Sequence, residues 1–194
     1  MKSEFSTLDL ISLALITLGS SSVASAACTR VDADYNINPG VQVTHVAMCG
    51  ASETAVGGGF SLGSNNLIIH ATLPTSSVDG WTAEVENVGS SIHGLKVSAV
   101  CCSVPVCSRV DADFNINAGE TLIREVTCGS GDKAVGGGFS LGSNNLVIHA
   151  SLPTSSVNGW SAEVENVGSA THGFKVSCVC CSQLPVELQL FSIE

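Results

Sequence analysis

Charge is scarce in this chain of 194 residues: 12% are Asp, Glu, Lys or Arg, and only seven basic residues stand against 17 acidic ones. A net charge of -10 with so few basic groups excludes the cationic footprint that nucleic acid or an anionic membrane surface requires. Aromatic residues are scarcer still, at 5%, with two Trp and one Tyr. A core with so little aromatic area is lean, and small domains of that kind need covalent help. No stretch beyond the first residues carries a sustained helical stripe, and no apolar run is long enough to span a bilayer. H-E-x-x-H does not occur, and the G-x-S-x-G letters at Gly59 to Gly63 and Gly138 to Gly142 continue as strand, without the helix that a nucleophile elbow needs, so no zinc-protease or hydrolase context is written in the chain.

What is present begins with a leader. Lys2 precedes the apolar run Leu10 to Leu18, and Ala24-Ser25-Ala26 has the A-x-A form that signal peptidases accept. Residues 1-26 are therefore expected to be a signal peptide, and the chain to be secreted, either extracellular or at the cell surface. Removing them takes away Lys2, Glu4 and Asp9, leaving 168 residues with a net charge of -9. Nine cysteines remain, and an exported chain with that many is read as disulfide-bearing.

A shift of 79 residues aligns the chain with itself without a gap, Cys28 to Val106 over Cys107 to Pro185, with 53 of 79 positions identical. The run AVGGGFSLGSNNL recurs unchanged at Ala55 and Ala134, as do LPTSSV, GW, AEVENVGS and HG. Two tandem copies of one module follow, 28-106 and 107-185, with a tail at 186-194. Within a module the hydrophobic period is two, and Gly, Pro, Asn and Ser clusters separate the alternating runs. Six strands are expected in the first copy, near 29-37, 41-48, 54-61, 66-73, 81-88 and 93-102. The fold class is all-β, each module an antiparallel β-sandwich or small barrel stabilised by disulfides. Alternation puts Trp81, Ala83 and Val85 on one face, with Thr82, Glu84 and Glu86 on the other, which makes Trp81 a core anchor.

Cys28, Cys49, Cys101 and Cys102 of the first copy match Cys107, Cys128, Cys180 and Cys181 of the second. Two bridges per module are expected, each contributing roughly 2–4 kcal/mol. Neighbours on a strand point to opposite faces, so Cys101 and Cys102 take different partners, and one pattern joins the last strand to both Cys28 and Cys49. The connectivity itself stays open. Cys178 replaces Ala99 and is left unpaired, on the same face as Val176: a buried inert thiol, or alternatively an intermolecular bridge.

VDADYNINPG at Val31 and VDADFNINAG at Val110 pose the question of a cation site. The D-x-D-x-N-x-N spacing resembles the start of an EF-hand loop, but that loop needs Gly at its sixth position and Glu at its twelfth. Counted from Asp32 these positions hold Ile37 and Val43, and from Asp111 Ile116 and Leu122. The better reading is a solvated strand face, with Asp32, Asp34 and Asn36, and their repeats Asp111, Asp113 and Asn115, as ligand or cation-binding candidates. Glu84 and Glu86 beside that strand would complete a non-EF Ca2+ site; no other cofactor is expected. The glycines Gly57, Gly58 and Gly59 lack the Lys-Ser/Thr and helix of a phosphate loop, and mark a bulge or a close backbone approach instead.

The order Cys49, Val56 to Phe60, Leu73-Pro74, Gly80-Trp81, Asn87 and Cys101 returns as Cys128, Val135 to Phe139, Leu152-Pro153, Gly159-Trp160, Asn166 and Cys180. It resembles small secreted bacterial modules of unassigned function. The resemblance covers nearly all of the chain after the leader, and implies export and a β fold without an activity. Cys28 and Cys102, with their repeats, stand outside that pattern.

The functional expectation is a non-catalytic surface or extracellular-matrix protein acting by adhesion or self-assembly. The alternative is a soluble lectin-like glycan-binding protein with one site per module. Partners are then the chain itself or a cell-surface glycan, with no nucleic acid and no membrane span. The tail, with its alternating Val186-Glu187-Leu188-Gln189-Leu190, is expected to form a strand on its own module or on a neighbour's sheet edge.

Overall fold

The computed structural model describes residues 27–103 and 106–182, so the leader and the tail strand lie outside the described residues. Twelve strands follow one another. The first module holds β1 (Cys28–Ile37), β2 (Gln42–Met48), β3 (Thr54–Leu62), β4 (Leu67–Pro74), β5 (Gly80–Asn87) and β6 (His93–Cys102). The second repeats them as β7 (Cys107–Ile116), β8 (Thr121–Thr127), β9 (Lys133–Leu141), β10 (Leu146–Pro153), β11 (Gly159–Asn166) and β12 (His172–Cys181). Each bound falls within a residue or two of the run that alternation marks out.

Each module packs two three-stranded antiparallel layers. In the first they run β1-β6-β3 and β2-β5-β4; in the second, β7-β12-β9 and β10-β11-β8. No sheet closes on itself, so the sandwich rather than the small barrel is formed. Ile37, Leu95, Val97 and Ala99 of one layer meet Trp81, Ala83 and Val85 of the other, all of them buried. The indole N–H of Trp81 donates to Thr72 Oγ1 at 2.9 Å, which lets its polar edge enter the core without an orphaned donor.

The GGG run is where backbone approaches side chain. The β3–β6 ladder shifts register between Ala55 and Gly57, a bulge, and Gly58 then faces Trp81 so closely that a Cβ there would overlap the indole. Gly137 stands against Trp160 in the same way. At the β4–β5 turn Val78 adopts φ 52° and Val157 φ 49° in the second copy, a left-handed conformation that costs a β-branched residue strain. Val78 is buried in the core cluster, whereas Val157 is exposed.

All four disulfides are of the expected pairwise kind. Cys28–Cys102 and Cys107–Cys181 join strands that are already ladder neighbours. Cys49–Cys101 and Cys128–Cys180 instead bolt one layer of the sandwich to the other. Asn87 is the third fastener: fully buried, it donates to the Ile37 and Ser91 carbonyls, both at 2.8 Å, and accepts from Gly89 N–H. Asn166 repeats the arrangement.

The modules do not hang as separate beads. Ala71 and Thr72 of β4 pair with Ser140 and Phe139 of β9, so that one six-stranded sheet, β2-β5-β4-β9-β12-β7, runs through both.

Candidate functional site

Along β1 the side chains alternate as expected, with Asp32, Asp34 and Asn36 exposed and Ile37 buried. Register sets what the two carboxylates meet. Asp32 lies opposite Ser98 and Asp34 opposite Lys96 on β6. Ser98 Oγ donates to Asp32 at 2.6 Å, Arg30 Nε at 2.7 Å, and Lys96 Nζ stands 3.2 Å from Asp34. The hydrogen bonds from Ser98 and Arg30 hold the Asp32 carboxyl below its usual range.

The second copy repeats the motif around Asp111. Arg109 Nε donates at 2.6 Å and Ser177 Oγ at 2.7 Å, with Lys175 at 3.6 Å from both Asp111 and Asp113. Burial opposes ionisation of Asp111, yet the hydrogen bonds and charges of Arg109, Ser177 and Lys175 outweigh it and keep its pKa low. A depressed carboxyl pKa contributes stability that is present above the unfolded value near 3.8 and lost as pH falls through the folded value. An NMR pH titration should therefore find Asp111 titrating below 3.8 in native protein, and Ser177→Ala should move it upward. A midpoint at or above the ordinary aspartate value would contradict the geometry.

Glu84 and Glu86 do not join these carboxylates. They project from β5, in the other layer of the sandwich, whose outward face is the opposite side of the module. Glu86 accepts from buried His70 at 3.1 Å, and from Asn144 of the second module at 3.1 Å. The site expected from the sequence, four carboxylates and the Asn36 amide, is thus divided, and the β1 carboxylates are committed to Arg30, Lys96 and Ser98.

The same strand does border a groove. Asp34, Tyr35, Asn36, Ser61, Gly63, Gly94, Leu95 and Lys96 line an open depression of about 360 Å³. Asp113, Phe114, Asn115, Ser140, Gly142, Gly173, Phe174 and Lys175, their counterparts one by one, line another of about 410 Å³. The lining offers acceptors, an amide, a hydroxyl and an ammonium around a floor that two glycines keep flat. Such a surface has the donors and acceptors to hydrogen-bond a polyhydroxylated ligand. Asp32 and Asp111 lie outside the linings, 3.8 Å from Lys96 Nζ and 3.6 Å from Lys175 Nζ respectively.

The histidines fall into unconnected pairs. Ser64 Oγ and His93 Nε2 are 3.4 Å apart, whereas His70 and His149 face Glu86 and Glu165. Serine, histidine and carboxylate therefore do not converge at one point in these pairs. His45 stacks on Tyr35 with ring centroids 3.8 Å apart, and burial lowers its pKa. In the second copy both partners change together, to Arg124 over Phe114, which keeps a cation–π contact at 5.9 Å.

Cys178 is free and buried beside a bridge, with its Sγ 3.6 Å from both Cys128 and Cys180. The three sulfurs could in principle cage a metal, but two of them are spent in a disulfide and are not thiolates. Burial pushes the Cys178 thiol up to about 11, so little thiolate exists near neutrality. The buried-thiol reading fits this setting, and an intermolecular bridge lacks the access it needs. Iodoacetamide at pH 7.5 should leave Cys178 unmodified in native protein and alkylate it fully in denaturant, read by intact mass. Rapid native labelling would sink this.

The module junction is what the sequence did not disclose. Arg109 Nη1 donates to the Pro74 carbonyl at 2.6 Å, Asn144 reaches Glu86, and β9 pairs with β4. Nothing in the letters marks these residues, because most recur in the other copy with other surroundings. Fold and site together define a tandem, disulfide-stapled β-sandwich with a repeated shallow groove. No family model matches the chain, and no curated protein is significantly similar to it. Among the described residues no helix is long and apolar enough to cross a membrane, a test that does not bear on β-barrels. The four disulfides are compatible with an extracellular protein.

Proposed function

We propose that the chain is a secreted, non-catalytic protein of the cell surface or extracellular matrix that works by adhesion and self-assembly. The observation that carries this reading is the junction itself: one module meets the other directly through a sheet edge. A unit that binds its own duplicate is a building block in the physical sense, since strand edges add to one another by backbone hydrogen bonds. Sedimentation velocity on the oxidised protein over a wide concentration range tests it. Growth into larger species with concentration is expected, and a single monomer boundary throughout would remove the assembly reading.

A second reading, glycan binding with one site per module, has its own support in the two matching grooves. Two weak sites on one chain gain avidity for a multivalent surface. A glycan array, repeated with Asp34→Ala and Asp113→Ala together, separates the readings: a saturable ligand lost in the double variant favours the lectin.

A further inference from the structure

The junction uses different surfaces of the two copies, and the unused counterparts are both open. On the second module the docking face is β9 with the adjoining faces of β7 and β12. Phe139 is 4% exposed and Val179 0%, and the Arg109 side chain 12%. A Cβ on Gly138 would overlap the Thr72 carbonyl oxygen of the first module. At the equivalent positions of the first module, Phe60 is 37% and Val100 38% exposed, the Arg30 side chain 62%, and Gly59 has nothing within 4 Å of its Cβ position.

The receiving surface behaves likewise in reverse. On β4 the His70 side chain is 3% exposed and Ala71 is buried; on β10 the His149 side chain is 43% exposed and Leu152 49%. Among the described residues β10 pairs with β11 alone, which leaves its other edge unpaired there, and β3 pairs with β6 alone. The free surfaces are near-duplicates of the occupied ones. AVGGGFSL is identical in β3 and β9, and LIIHATLP of β4 differs from LVIHASLP of β10 only at Ile68/Val147 and Thr72/Ser151.

We infer that the β10 edge of one molecule receives the β3 edge of a second copy of this chain, in the register that already joins β4 to β9. Ala150 then pairs with Ser61 of the neighbour and Ser151 with its Phe60, while Gly59 lies against the Ser151 carbonyl and Arg30 reaches the Pro153 carbonyl. The contact is heterologous, so copies join head to tail and each keeps one edge of each kind. Backbone pairing supplies the adhesion, and the exposed Phe60, Val100 and Leu152 supply the apolar area. This inference rests on the assembly reading and specifies its surface.

Two variants that leave the single molecule undisturbed test it. Gly59→Val fills space that is empty in one copy and collides with the neighbour; Leu152→Asp charges the receiving edge. Each alone should stay monomeric in sedimentation velocity at concentrations where the parent associates, an affinity loss of at least about tenfold. Melting curves of both variants at monomeric dilution should match the parent. Mixed one to one, they retain one intact β3 edge and one intact β10 edge, so a dimer and nothing larger is expected. If the parent assembles and either variant assembles equally well, the edge assignment falls and the assembly reading survives. The same holds if only deletion of 186–194 dissociates the parent, or if the mixture stays monomeric. A parent that is monomeric at every concentration removes both.

Discussion

Replacing Cys49 and Cys101 together with alanine is expected to lower the stability of the first module by roughly 4 kcal/mol. The bridge closes a separation of 52 residues, so opening it returns a large loop-closure entropy to the unfolded chain. It also ties the end of β2 to β6, which lie in different layers of the sandwich. Double replacement avoids leaving a lone buried thiol at Cys101. In a domain of this size the loss corresponds to a fall on the order of 15 °C or more in Tm, read by calorimetry or near-ultraviolet dichroism. The comparison that gives the experiment its edge is Cys28→Ala with Cys102→Ala. That bridge spans 74 residues, so chain entropy alone predicts a slightly larger cost for losing it. Its strands are already directly paired, however, with Cys28 opposite Cys102 in the ladder, whereas the layers joined by Cys49–Cys101 share no ladder and meet through packing and a few hydrogen bonds such as those of Asn87 and Tyr35. A larger loss at Cys49–Cys101 would therefore assign part of its role to the folded sandwich. A loss under about 1 kcal/mol would mean that the lean core needs no staple.

Much of this architecture is legible in the letters, for a reason that also sets the limit. Strand alternation and the opposite facing of adjacent cysteines are local rules, and they place Trp81, Ala83 and Val85 inside and split Cys101 from Cys102 between two partners. The solvated face of β1 is legible on the same ground. What Asp34 meets is not, because Lys96 lies opposite it only once the β1–β6 register is fixed. The proximity expected between Asp32 and Glu84 failed because alternation tells which face a residue takes, and never which layer its strand joins. The junction is the extreme case. Phe60 and Phe139 sit in identical 13-residue runs, and one is exposed where the other is buried. No reading of local sequence separates identical strings, so their difference belongs wholly to tertiary arrangement.

Alanine substitution through the two GGG runs turns that difference into a measurement. Gly58→Ala is expected to destabilise its module by about 3 kcal/mol or more, since the new Cβ would overlap the Trp81 indole and lie 2.5 Å from the Ser98 carbonyl oxygen. Trp81 is fully buried with its N–H committed to Thr72, so it has no easy route aside. Gly137→Ala meets Trp160 and the Ser177 carbonyl in the same manner and should cost a similar amount. One residue further along the outcomes diverge. Gly59 faces open space, its φ lies outside the left-handed region, and alanine there restricts the unfolded chain, so at monomeric dilution Gly59→Ala should be neutral or stabilising by about 0.4–1 kcal/mol. Gly138→Ala has the same local backbone but drives a Cβ into Thr72 of the first module, and it should loosen the β4–β9 seam. Hydrogen exchange at Ala71 to Leu73 would report that loosening before global unfolding does. Equal effects at Gly59 and Gly138 would mean that the two copies share one environment in solution, and the asymmetric junction could not be the resting state of the chain.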